Sequence, residues 1–154
     1  MKKYRIACLV ALLLAAIAVG CGQKDLDTVL KGHKAMKLYQ EGVWEPRYEN
    51  ASASGSGSKN ETLQIVLSID VKEEMSETDR MEVLDYYYVK TKDLYITDGD
   101  SIDCSCYAVF YQGDTNEELF RVKLRNGVEE ELTDDDNSIF PLPGMRTEVM
   151  GEWP

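Results

Sequence analysis

Between residues 63 and 71 every second residue is a large aliphatic: Leu63, Ile65, Leu67, Ile69 and Val71. Gln64, Val66, Ser68 and Asp70 stand between them. Successive side chains of an extended chain point to opposite faces, so this period of two specifies a half-buried strand with one apolar face. Such a strand needs paired neighbours and a covering layer. A sheet packed against a second layer is the frame into which the rest of the chain must fit.

Upstream, Leu26, Val29, Leu30, His33 and Met36 repeat at helical spacing and predict one helix over 25–41. Asp25 suits its N-cap and Gly42 the glycine position past its end. Gly32 interrupts it at a cost of about 1 kcal/mol. His33, on the apolar stripe, reads as a core or boundary histidine ahead of a catalytic base. Val43, Trp44 and Glu45 read as a strand that Pro46 confines to an edge. Residues 50–60 are Gly/Ser-rich, either a linker or a long loop between paired strands. The sequons at Asn50 and Asn60 read as coincidence.

Downstream, residues 81–90 are ambiguous. Met81, Leu84 and Tyr88 fit a helix, whereas Val83 and three consecutive tyrosines favour a strand, and the strand reading is taken. Turn signals follow at 97–100, at 112–116 and at Asn126-Gly127, the strongest hairpin signal of the three. In the strand 118–125, Phe120, Val122 and Leu124 share one face, and Arg121, Lys123 and Arg125 the other. Val128–Leu132 pairs back across the Asn-Gly turn, and Met145–Trp153 forms a last edge strand. The expected fold is α+β: an N-terminal helix across an antiparallel meander of six or seven strands, in the manner of cystatin or NTF2 folds. The alternative is a small up-and-down barrel closed by the helix. The division follows as 21–60, an anchored helix, short strand and flexible segment, and 61–154, a β-rich domain.

The first twenty residues carry a different message. Lys2, Lys3 and Arg5 precede a fourteen-residue apolar run, Ile6 to Val19, which is shorter than the roughly twenty residues a membrane span needs. The run ends in Ala18-Val19-Gly20-Cys21. This segment resembles the signals of bacterial lipoproteins, although Ala18 stands where that family most often has Leu. The resemblance covers residues 1–21 only. It implies cleavage between Gly20 and Cys21 and a diacylglyceryl (often palmitate-bearing) anchor on Cys21. It places the mature chain on the extracytoplasmic face of a bacterial cell membrane.

Charge narrows the partners. The formal net charge is -11, and beyond residue 20 there are 14 basic against 28 acidic side chains. That excludes ordinary phosphate-neutralising nucleic-acid binding. Of four cysteines, Cys8 leaves with the signal and Cys21 takes the lipid. Cys104 and Cys106, at i and i+2, share one strand face too far apart for an unstrained disulfide. They read either as small buried side chains or as a soft-metal or thiol-sensing pair, with the first preferred.

Catalytic signatures are missing: there is no Gly-x-Ser-x-Gly, phosphate-binding glycine loop or His-Glu-x-x-His. The acidic turns at Asp98, Asp100 and Asp103 and at Asp134–Asp136 match no EF-hand loop and read as solvated rather than calcium-binding. Tyr86 and Tyr88, with the basic row Arg121, Lys123 and Arg125, are the candidate binding residues; tyrosine offers large contact area at low entropy cost. The expected function is a lipid-anchored, non-enzymatic binding or protein-interaction module of the cell envelope, requiring no cofactor. It would engage another envelope protein or a small ligand. The alternatives are an envelope enzyme with a carboxylate-only site, or a metal or thiol sensor at Cys104 and Cys106.

Overall fold

The computed structural model describes residues 25–57, 60–95 and 101–147. The signal, Gly20, Cys21, the turn at 97–100 and Trp153 lie outside the described residues.

The elements run α1 (Leu26–Lys31), α2 (Lys34–Gln40), β1 (Trp44–Ser54), β2 (Thr62–Val71), α3 (Glu77–Tyr95), β3 (Asp103–Gln112), β4 (Glu118–Arg125) and β5 (Val128–Glu130), then a 3-10 turn, Asp134–Ser138. The strands form one open sheet in the order β1-β2-β3-β4-β5. The fold is α+β, but the sheet has five strands among the described residues, not six or seven, and is not an all-antiparallel meander. β2 and β3 are parallel, joined by α3, because a parallel neighbour can be reached only by a crossover connection. The open order, with β1 and β5 as edges, also replaces the barrel alternative.

Two readings of local structure are corrected. The expected 25–41 helix is two short helices broken at Gly32–His33, where His33 starts α2 by accepting the Ala35 N–H on Nδ1 at 3.2 Å. Residues 81–90 are helical, inside the 19-residue α3. Ser76 Oγ accepts the Asp79 N–H, and Glu77 and Asp79 place negative charge in the first turn, as the helix dipole favours. Burial of both flanks of α3 outweighs the β preference of its tyrosines: Val83, Leu84, Tyr86 and Tyr87 are all at most 2 % exposed.

β2 keeps its alternation on the helix face, but Ser68 and Asp70 on its other face are buried as well, so its second half is not half-buried. Leu63, Ile65, Leu67, Ile69 and Val71 face the helices, and with Cys104, Cys106, Ala108 and Phe110 of β3 they floor the main core. An aromatic chain from Tyr39 through Trp44 and Tyr87 to Tyr86 covers that floor, and Trp44 Nε1 donates to the Ala35 carbonyl at 2.8 Å. Across the sheet a smaller cluster forms where Phe140 packs edge-on against Tyr107, beside Val109 and Tyr111. The Asn-Gly turn between β4 and β5 is as expected: Asn126 and Gly127 both have positive φ, 50° and 80°.

β1 is longer than Pro46 and the Gly/Ser-rich composition suggested. It pairs with β2 from Trp44 to Ser54, interrupted by a bulge at Arg47, so the first part of the Gly/Ser-rich stretch lies within a paired strand. Residues 145–147 are not a strand. Thr147 instead crosses the outer edge of β1, its N–H donating to the Arg47 carbonyl at 3.0 Å. Its hydroxyl accepts the Glu49 N–H at 2.7 Å.

Candidate binding edge and groove

The site lies at the corner of the sheet formed by the second half of β1. The Ser54 carbonyl accepts the Glu61 N–H across the hairpin, whereas the Arg47 carbonyl and the Glu49 N–H meet Thr147 outside the sheet. Backbone groups alternate sides along a strand, so those of Ala51 and Ala53 point outward beyond Thr147. No hydrogen bond reaches these outward groups among the described residues.

The two sheet edges are treated differently. β5 is three residues long and carries Glu129 and Glu130. The first half of β1 has Pro46, the Arg47 bulge and the Thr147 cover. Each of these is a recognised protection against edge pairing. From Asn50 to Ser54 there is no proline, bulge or charge.

Beside this open edge, on the helix face, a groove of about 260 Å³ separates β1 and β2 from the C-terminal half of α3. Ala51, Ile65 and Leu67 form its floor, and Tyr87, Thr91 and Leu94 its far wall. Leu94 is 71 % exposed, the most exposed large apolar side chain described. Lys90 and Glu49 pair at 3.6 Å at the mouth. Asn60 holds the hairpin to the end of α3 by donating to the Tyr95 carbonyl at 2.8 Å, which fixes the width of the groove. On the opposite face the same corner is a polar hollow of about 330 Å³ lined by Ser52, Ser54, Thr62, Gln64, Asp103 and Ser105.

The residues singled out from sequence lie elsewhere. Tyr86 is fully buried under α1 and α2, touching His33 edge-on, and burial pushes its hydroxyl up to about 12. Tyr88 is half-buried on the opposite flank of α3, beside Cys104 and Cys106. The basic row is spent on neighbours: Arg121 on Glu118, Lys123 on Asp136 and Glu130, Arg125 on Asp103. These bonds hold the Asp103, Glu118 and Asp136 carboxyls below their usual range, with Thr133 the main cause at Asp136.

Cys104 and Cys106 are free and buried beside a small cavity of about 20 Å³. Desolvation pushes the Cys104 thiol up to about 11 and raises Cys106 further. No cluster of three His, Cys, Asp or Glu side chains suited to a metal ion occurs among the described residues. His33 has both ring nitrogens engaged, Nδ1 by the Ala35 N–H and Nε2 by Asp85 at 3.0 Å.

The edge was missed in sequence because small and polar residues carry no pairing signal. The indirect clue was the absence of charge over residues 50–57 in a strongly acidic chain. No family model, curated protein or solved structure matches the chain.

Proposed function

We propose that this chain is a membrane-anchored lipoprotein of the bacterial envelope, held by lipid on Cys21. It acts as a non-enzymatic interaction module, adding a segment of another polypeptide to the outer edge of β1. The carrying observation is the pair of backbone positions, Ala51 and Ala53, whose outward groups have no partner among the described residues, next to a groove floored by Ile65 and Leu67. Main-chain hydrogen bonds supply affinity in strand addition, and a neighbouring apolar pocket supplies specificity. No helix among the described residues is long and apolar enough to cross a membrane. The lipid signal is therefore the feature that supports anchoring.

Polypeptide is favoured over a small ligand because the groove is open and runs beside the strand edge rather than enclosing a cavity. The carboxyls with displaced pKa among the described residues, Asp79, Asp103, Asp114, Glu118 and Asp136, all move downward. Each is held low by a hydrogen-bonding neighbour, Lys34, Arg125, Lys72, Arg121 and Thr133 respectively, which commits these five to structural pairing.

Hydrogen exchange at the Ala51 and Ala53 amides tests the proposal, comparing the protein in its own membrane with the same chain extracted and diluted. Engagement slows both amides in the membrane and leaves them fast after dilution. Equally fast exchange in both settings overturns it.

A further inference from the structure

We infer that the strand added to β1 is β1 of a second copy of this chain, antiparallel and centred on Ser52; this rests on the reading of the β1 edge as the binding surface. The outward groups are those of Ala51 and Ala53. A two-fold axis through Ser52, perpendicular to the sheet, sets Ala51 opposite Ala53 of the copy and Ala53 opposite its Ala51. Each pair exchanges two N–H···O=C bonds, four in all, and the two helix layers stay on one face. Ser52 then faces itself in a non-hydrogen-bonded pair, with Cα atoms about 4.5 Å apart.

Charge selects this register. Two copies of so acidic a chain repel, and like charges directly opposed across strands destabilise pairing. Residues 50–54 carry no charged side chain, so the paired stretch opposes only Asn, Ala and Ser to one another. Opposed serines can hydrogen-bond, and opposed alanines leave room for the twist between adjacent strands.

The pairing is closed. A two-fold interface uses the same patch on both partners and cannot propagate. Pro46, the Arg47 bulge and Thr147 end it on one side, and the short acidic β5 offers no second edge. A stable dimer in free solution buries about 800 Å² per partner, which five-residue edge pairing falls short of. Anchoring both copies to one membrane raises their effective concentration and makes up the difference.

The test is disulfide trapping of the full-length chain in its own membrane. The Ser52→Cys variant sets two thiols within disulfide range, whereas Asn50→Cys places them four residues, roughly 13 Å, out of register. A disulfide-linked dimer from Ser52→Cys at least tenfold more abundant than from Asn50→Cys supports the inference; equal yields overturn it. No Ser52→Cys dimer, with Ala51 and Ala53 still protected in the membrane, also overturns the second copy while the edge reading stands. In that case loss of protection on deleting residues 148–154 identifies the chain's own C-terminus as occupant, and retention a different protein. Neither dimer nor protection overturns both.

Discussion

The Arg47 guanidinium and the Asp70 carboxylate meet inside the protein, Nε to Oδ1 at 2.6 Å, with Arg47's side chain wholly and Asp70's almost wholly removed from solvent. Arg47 is the bulged residue of β1, and the bulge aims it at Asp70 of β2. Its remaining donors reach the carbonyls of Gly113, Thr115 and Pro143 and the Asn116 side chain, and its plane stacks 4.0 Å from the Tyr111 ring. One side chain thus ties together two strands, the β3–β4 turn and the C-terminal segment.

Because that pair is buried, removing one partner strands the other. Asp70→Asn or Arg47→Met is expected to lower unfolding free energy by about 3–5 kcal/mol. Arg146 also reaches Asp70, at 2.9 Å, but is half exposed, so Arg146→Ala should cost under about 1 kcal/mol. Urea denaturation of the three variants checks this ordering. Arg47→Lys should resemble Arg47→Met, since an ammonium cannot satisfy the planar fork of acceptors.

His33 joins α2 to α3 through two bonds of different kinds. His33→Ala loses the cap on Ala35 and leaves the Asp85 carboxylate buried, for an expected loss of about 2–4 kcal/mol. In His33→Ala/Asp85→Leu, replacing the stranded carboxylate should recover part of that loss. A double-mutant cycle by thermal unfolding reads the coupling; strict additivity would refute the contact.

Burial raises the Cys104 thiol to about 11 and the Tyr86 hydroxyl to about 12, from ordinary values of 9.0 and 10.0. The folded state therefore holds these protons where the unfolded chain has lost them. That stability is fully present below about pH 9 and is lost as pH rises towards 11 and 12. Unfolding free energy should fall from about pH 9 upward in the wild type, and from about pH 10 in Cys104→Val/Cys106→Val. At pH 8 a thiol reagent should label both cysteines only on unfolding.

Asp136 starts the 3-10 turn by accepting the Thr133 N–H at 2.8 Å and its hydroxyl at 2.9 Å, while holding Lys123. Asp136→Ala should cost about 1–2 kcal/mol. It should also loosen Phe140 from Tyr107, visible as faster exchange of the ring environment by NMR, without disturbing Trp44 on the other face.

Legibility followed the strength of the local pattern. β2 and the Asn126-Gly127 turn were readable because period-two aliphatics and positive-φ residues leave little choice of structure. α3 was not, since Met81, Val83, Leu84 and Tyr86–Tyr88 surround the helix and blur any single stripe. Packing against both α1–α2 and the sheet requires that breadth. Reading α3 as a strand also removed the crossover and with it the parallel β2–β3 pair. Arg47 showed nothing in sequence beyond its place after Pro46, because its partners come from four separate segments. The open edge of β1 is a backbone property of Ala51 and Ala53, whose side chains announce nothing.

Native mass spectrometry of the protein extracted from its own envelope, wild type beside Ala53→Pro, reads the occupancy of the β1 edge. The Ala53 N–H points out of the sheet, so proline there removes an edge donor and leaves the β1–β2 ladder intact. The expected result is a chain lipidated on Cys21 and bound to a polypeptide, either a second copy or another protein, in the wild type and not in the variant. A complex that survives Ala53→Pro unchanged, or a chain carrying only a small molecule or metal, would contradict it.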